Sequence, residues 1–488
     1  MSEIICVFDV GTTGARTILF DINGKEIARA YEEYVVAKQP VGISEQDPSI
    51  WWNAVKKTCN IVVKKVNSEK IIGICADFQR GTMTLVDKNG NILHPALTWM
   101  DEREMVDAKE FKEEGGLRRS IPKILWLKNN KPELFEKAYK IAFPDSYIYM
   151  KLLGKNTCIT DPTNGIYGII NMKTLKWDEN LAQLYNLPVD LWPELHTPGE
   201  IIGELSREAV KDLGLKKSVP VIMGGGDQQC AALGLGVVNK GQAKITTGTG
   251  TFVDYITGEE PIKPAGDIPI FPLPHVVKGK WIIEGTMPGT GTMFQMYARN
   301  FSQLQLKQGE EENTSVYDIL TKEAEQAPPG SEGLLFVPLY MFRKGTIHGL
   351  GWNHSRAHFA RAIMESAALS AQMYLQLLEG IAKAKTSEVP SDGGAMNSNL
   401  WAQIFADVID KKILIPENKD GAALGAAILG FCGCKKYNNI NDAIKKMVRF
   451  EKIKEPIKEN SKTYKKLTRL FMPTLLETYN KKRITKDF

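Results

Sequence analysis

A chain of 488 residues is too long for one ordinary domain and long enough for two. Apolar residues make up 43% and charged residues 24%, which excludes wholesale disorder and collagen-like repetition. With 62 Lys+Arg against 57 Asp+Glu the net charge is +5, too small for a dedicated nucleic-acid binder.

The basic surplus gathers near the C-terminus, around Lys435-Lys436, Lys445-Lys446, Lys465-Lys466 and Lys481-Lys482-Arg483, and reads as solvated helical faces. Seven scattered cysteines, an odd number, suit buried reduced thiols better than a disulfide framework. The opening Met1–Gly11 lacks the pattern of a secretory leader, and no apolar run is long enough to span a bilayer. A cytoplasmic protein with neither a nucleic-acid nor a membrane partner is expected.

Ile4–Phe8 is an apolar run suited to a buried strand, Asp9-Val10-Gly11-Thr12-Thr13-Gly14 is turn chemistry, and Thr17–Phe20 is a second strand. Asp21–Lys25 turns again into a third strand over Glu26–Ala30. A helix is predicted from Asp47-Pro48, with Asp47 as cap and Pro48 at its first position, burying Trp51, Val55, Cys59 and Val62 at three- and four-residue spacing. Lys70–Ala76 returns as a buried strand, giving a β-β-β-α-β order within an α/β fold.

A second Gly/Thr turn between β-prone runs occurs at Lys244–Val253. Thr249 lies 237 residues after Thr12, close to half the chain, which points to a duplicated α/β unit. The expected domains are 1–240 and 241–488, with the boundary near Asn239-Lys240-Gly241.

Neither a P-loop nor a Rossmann glycine fingerprint is present, and there is no HExxH or paired CxxC. His354 and His358 stand four apart without a third ligand candidate and read as a helix start. The two Gly/Thr hairpins suit phosphates, because glycine admits an oxyanion to the backbone N–H groups and threonine adds hydroxyl donors. They suit plain turns as well. Asp9, closing the first strand, is placed where a carboxylate can hold Mg²⁺. Val219–Met223 is a strand, Gly224-Gly225-Gly226 a loop and Asp227–Leu233 a helix. Asp227 is either a helix cap or a carboxylate aimed at a hydroxyl proton, and three glycines are more than a cap needs. Gly393-Gly394 before a helix near Asn399 is a further turn of nucleotide-contacting type.

As an ordered set these segments resemble the FGGY family of carbohydrate kinases, within the actin/Hsp70/hexokinase superfamily. Asp9–Arg16 is similar to its first phosphate motif, and Ser120–Leu127 to its first signature. Gly224–Gln229 is similar to its catalytic-aspartate segment, Thr247–Gly250 to its second phosphate hairpin, and Gly349–Trp352 with Ala360–Ser366 to its second signature. Gly393–Ala395 and Gly421–Ala427 complete the order. The resemblance implies two ribonuclease-H-like α/β domains with an intervening cleft, and the use of ATP and Mg²⁺ to phosphorylate a small sugar or polyol. A homodimer is compatible with it.

It further implies Asp227 as catalytic base, Asp9 as the Mg²⁺ carboxylate, and Gln79, Arg80, Asp101, Asp227 and Gln228 as substrate contacts. Thr12, Thr13, Arg16, Thr249, Gly291, Gly394 and Ser398 would contact the nucleotide. Glu45–Pro48 and Trp51-Trp52 resemble xylulokinases, whereas Gln79-Arg80 and Asp227–Gln229 resemble glycerol kinases. Gly81 replaces the glutamate usual in glycerol kinases, and the stretch Arg118–Pro122 lacks the tyrosine that they carry. The Ser120–Leu127 signature is also similar to that of autoinducer-2 kinases. A pentulose such as xylulose is the expected substrate, with glycerol or an autoinducer-2-type sugar as alternatives. A non-kinase ATPase switch would not need Asp227 beside a hydroxyl-binding set, and a plain sugar-binding module would not need the hairpins.

Overall fold

The computed structural model describes residues 3–36, 39–40, 42–103, 120–262, 270–287, 289–339 and 344–484. Arg118 and Arg119 lie outside them. The chain forms two compact units. The first comprises Met1–Val238, Thr257–Ile282 and Asp420–Arg449, and the second Asn239–Ile256, Ile283–Lys419 and Phe450–Phe488. The sequence boundary near residue 240 is thus one of several crossings, because two later segments return to the first unit.

In the first unit the strands lie in the order Ile201–Glu204, Pro220–Ile222, Ile71–Phe78, Ile4–Val10, Gly14–Asp21, Glu26–Glu33. Ile4–Val10 pairs antiparallel with Gly14–Asp21 and parallel with Ile71–Phe78. Both faces of Ile4–Val10 are covered, so it reads as an unbroken apolar run. Ile4, Cys6, Phe8 and Val10 pack with Trp51, Val55, Cys59 and Val62 of the helix Ser49–Val63. Ile5 and Val7 point the other way, into a core shared with Ala423, Ala427, Ile428 and Phe431 of the helix Gly421–Gly433. By the same alternation Asp9 emerges on this second face, at the strand's carboxyl end. The first helix starts at Ser49, a residue after the expected Pro48, and Asp47 accepts from the Ser49 N–H at 2.8 Å.

In the second unit the strands Trp281–Met287, Thr251–Gly258, Ala243–Thr247, Glu388–Asp392, Lys412–Pro416 and Phe450–Lys454 follow one another across the sheet. Apart from the additional edge strand Ile270–Pro274, the order matches that of the first unit: a hairpin at one side, three parallel strands at the centre, and an antiparallel return strand at the other edge. This repeated topology is the structural counterpart of the two Gly/Thr turns. The cysteines of the described residues are free thiols, and five of the seven are buried.

Asp145 shows what carboxylate burial does in this fold. It begins the first turn of the helix Pro144–Leu153, fully enclosed, accepting from Thr160 Oγ1 at 2.6 Å and Ser146 N at 2.6 Å. Burial outweighs those bonds and pushes its pKa from 3.8 up to about 6. The folded chain therefore holds the Asp145 proton more tightly than the unfolded chain does. The resulting stabilisation is complete below about pH 4 and is lost as pH rises through about 6. Asp145→Asn is expected to flatten the pH dependence of unfolding free energy across that window by roughly 2–3 kcal/mol, read from denaturant titrations. An unchanged slope would contradict this.

Candidate active site

Three carboxylates of the first unit meet at the carboxyl ends of its central strands. Asp9 and Asp77 are register partners on adjacent parallel strands, and Gly225 pairs with Asp77 from the other side, two residues before Asp227. Arg16, opposite Asp9 across the hairpin, reaches Asp9 Oδ2 at 3.2 Å and Asp420 Oδ1 at 2.5 Å. Asp420 precedes the helix Gly421–Gly433 and also pairs with Arg29 at 2.6 Å. Burial pushes the Asp9 carboxyl up to about 6; Arg16 opposes this, while Asp420 and Asp227 add to it. Asp77 is driven well above the usual carboxylate range, by burial first and then by the Asp9 and Asp227 charges. Arg16, held chiefly by Asp9, stays firmly protonated.

Asp227 is the first residue of the helix Asp227–Gly234, and Gly226 occupies the cap position. The capping role is therefore not what the structure gives it. One Asp227 oxygen accepts from Gln228 N at 2.7 Å, and the same oxygen lies 3.2 Å from Arg80 Nε. The Asp227 side chain remains 32% exposed while Arg80 is 8% exposed, so a buried guanidinium holds a partly open carboxylate. The Arg80 guanidinium also lies over the Tyr167 ring, 5.8 Å from its centre. The triple glycine is explained by close approach, since a Cβ on Gly224 would stand 1.6 Å from the Ala76 carbonyl oxygen.

Thr12 is anchored from two sides: its hydroxyl accepts from Trp99 Nε1 at 2.9 Å, and its carbonyl accepts from Gln46 Nε2 at 2.7 Å. Gln79 is buried, donating to Gln46 Oε1 at 3.4 Å and accepting from Thr82 at 3.3 Å. Thr13 is exposed at the hairpin tip. Asp101 lies in a neighbouring cluster, its oxygens taken by Ser44 N at 2.8 Å and Arg103 Nη2 at 2.9 Å. The structure thus makes Asp101 the support of Arg103, which also pairs with Glu45 at 2.7 Å and lies over Trp126. Lys123, buried in the first signature helix, donates to the Gly81 carbonyl at 2.8 Å and fixes the turn behind Arg80.

In the second unit three glycine turns converge. Gly291 N donates to Thr249 O at 3.1 Å, and a Cβ on Gly291 would stand 2.0 Å from the Gly248 carbonyl oxygen. Gly393 has φ +90°, where a Cβ would stand 2.4 Å from Thr247 O. Thr249, Gly291 and the Gly393-Gly394 turn are therefore packed into one glycine-lined ledge, while Gly248 and Gly394 face open space. Beneath it Lys244 Nζ reaches Asp254 at 2.8 Å and donates to Thr246, which donates to Asp392 at 2.6 Å. Ser398 caps the helix Asn399–Ile409 through the Trp401 N–H at 3.2 Å. His354 and His358 sit at the start of the helix Arg356–Ala382, with His358 joining Ser355 in its cap.

The sequence reading gave no role to Asp77, Arg103 or Asp420, and quoted Gln46 and Lys123 only within family-like segments. Asp77 had a signal, an acidic residue inside the otherwise apolar run Ile71–Phe78. Among the described residues no group of three or more His, Cys, Asp or Glu forms a ready-made metal cage, and no helix is long and apolar enough to cross a membrane.

Residues 4–234 match the N-terminal domain of the FGGY family of carbohydrate kinases, and residues 243–434 match its C-terminal domain. This chain belongs to that family. Membership makes it a phosphotransferase that acts on a carbohydrate, with the ATP dependence the family implies. It is 25% identical to a gluconokinase of Bacillus subtilis over 97% of this chain and 95% of the relative. It is 26% identical to a xylulose kinase of Staphylococcus epidermidis over 100% of this chain and 99% of the relative. The structure of a gluconate kinase from Lactobacillus acidophilus superposes with a TM-score of 0.86 at 24% identity, covering 97% of both chains. The kinase thus has the two-domain α/β fold of its family.

Proposed function

We propose that this kinase transfers the γ-phosphoryl group of ATP to a hydroxyl of a small ketose, a pentulose such as xylulose, with Asp227 as general base. The observation that carries the proposal is the Arg80–Asp227 pair. A base must be ionised, fixed and reachable by a hydroxyl, and a buried guanidinium 3.2 Å from a carboxylate that is 32% exposed meets all three needs. Asp227 takes the hydroxyl proton as oxygen closes on phosphorus, while Arg80 fixes the carboxylate's orientation. Arg80, Gln228 and Asp227 itself contact substrate hydroxyls; Gln79 and Asp101 shape the pocket from behind, through Gln46 and Arg103.

On the nucleotide side, Thr12, Thr13 and Arg16 of the first hairpin and Thr249, Gly291 and Gly394 of the second unit's ledge are the phosphate contacts in this reading. Phosphoryl transfer depends on positioning and charge stabilisation, which backbone N–H groups and a guanidinium supply. Ser398 contributes by fixing the helix behind Gly394. The all-oxygen donor set around Asp9, with the Asp77 oxygens beside it, fits a hard divalent cation, and Asp9 would hold Mg²⁺. When bound, Mg²⁺ neutralises phosphate charge.

The pentulose assignment rests on Gly81. Its φ of +69° favours glycine, and a Cβ there would touch Trp99 at 3.5 Å and Tyr167 at 3.7 Å, so glycine leaves that gap unfilled. Three-carbon glycerol would leave pocket groups unpaired, each loss costing about 1–3 kcal/mol. Steady-state assays should therefore give a kcat/KM for xylulose at least roughly tenfold above that for glycerol, the factor that 1.4 kcal/mol supplies. Gluconate belongs in the same panel because the gluconokinase relative covers the chain nearly as fully as the xylulose kinase does. Equal or better turnover of glycerol or gluconate would replace the substrate and leave the family assignment standing.

A further inference from the structure

We propose that Asp77 is a second carboxylate ligand of the divalent cation, so that Asp9 and Asp77 together give the free enzyme a cation site before nucleotide binds. This rests on the reading that Asp9 holds the cation. Asp9 and Asp77 are in register on neighbouring parallel strands, whose backbones run roughly 5 Å apart. They project on one face, because Ile5, Val7 and Cys75, which stand two or four residues before them along the two strands and so on the same side, share a single core. Asp77 is 0% exposed and no N–H or hydroxyl donates to its oxygens; its hydrogen-bonding neighbour is the Asp9 carboxyl, with which it shares a proton when no cation is bound. A buried carboxylate without a donor is costly, and like charges side by side on adjacent strands repel.

The nearby guanidinium does not resolve this, since Arg16 is engaged with Asp9 at 3.2 Å and Asp420 at 2.5 Å. A cation between the two carboxylates satisfies both. Magnesium is ordinarily bound by one or two carboxylates, with waters and phosphate oxygens completing its octahedron, so a pair suffices where no three-residue cage exists. The site lies at the carboxyl end of the sheet, in the crevice where ligands of open α/β sheets bind.

The test is direct binding of Mn²⁺ alone to the full-length protein, followed by the loss of the free-ion paramagnetic resonance signal. The wild type should take up one Mn²⁺ saturably. Asp77→Asn and Asp77→Ser should each bind at least tenfold more weakly while melting no lower than wild type, because each removes a buried carboxylate without donors. A purely structural Asp77 would leave Mn²⁺ affinity unmoved. Asp9→Asn separates the two readings. If it loses Mn²⁺ while both Asp77 variants keep it, the Asp77 proposal is overturned and the Asp9 reading stands. If none of the variants loses Mn²⁺, both are overturned. A wild type with no saturable Mn²⁺ site overturns the Asp77 proposal.

Discussion

Asp227→Asn is expected to lower kcat by roughly 10²–10⁴-fold with little change in substrate KM, because the loss falls on proton transfer and not on ground-state binding. Asparagine preserves the shape and can still accept from Gln228 N at the start of the helix, so the protein should fold and bind as before. It removes both the basic oxygen and the charge that pairs with Arg80. Initial rates with saturating ATP and sugar would show the effect. Near-normal turnover would remove Asp227 from the chemistry and leave it a role only in ordering Arg80.

The second large effect concerns the helix pair beneath the carboxylates. Helix Asp227–Gly234 crosses helix Gly421–Gly433 glycine against glycine: a Cβ on Gly234 would stand 1.9 Å from the Gly421 carbonyl oxygen, and one on Gly425 would stand 1.9 Å from the Cys230 carbonyl oxygen. Neither obstacle is a side chain that can swing away, so even alanine must push the helices apart. Overpacking of this kind costs about 1–3 kcal/mol or more. Gly425→Ala and Gly234→Ala should each lower the melting temperature by about 5 °C or more. They should also weaken catalysis, because the two helices begin at Asp227 and next to Asp420. Gly380→Ala is the control: it lies in the helix Arg356–Ala382 with nothing within 4 Å of an added Cβ, so it should hold or raise stability. Calorimetry on the three variants decides this, and a Gly425→Ala protein as stable as wild type would contradict the close crossing.

Much of the fold was legible because its signals are local. Ile4–Phe8 is apolar throughout because helices cover both faces of its strand, and the Gly/Thr turns mark where each hairpin reverses. The repeated strand order was readable only as a spacing between two short motifs, since strand pairing is non-local. The later return of Thr257–Ile282 and Asp420–Arg449 to the first unit carries no mark in composition.

In the candidate site, Asp9 and Asp227 were placed by turn chemistry, and Arg16 and Arg80 by the family resemblance alone. Asp101 was legible as a hydroxyl acceptor, but nothing in its neighbours announces that Arg103 and Ser44 also donate to it. Asp77 was overlooked because its meaning comes from register with Asp9 across two strands 68 positions apart in the chain. Asp420 likewise reaches Arg16 only through the packing of the helix it precedes.

Phosphorus magnetic resonance of the reaction with ATP and Mg²⁺ follows the phosphoryl group from donor to acceptor, run with xylulose, gluconate and glycerol in turn and without any of them. A new phosphomonoester resonance should grow with ADP in one-to-one proportion, only when a sugar or polyol is present, and should all but disappear with Asp227→Asn. Release of inorganic phosphate at the same rate with and without every acceptor, and no phosphomonoester, would contradict transfer to an acceptor hydroxyl.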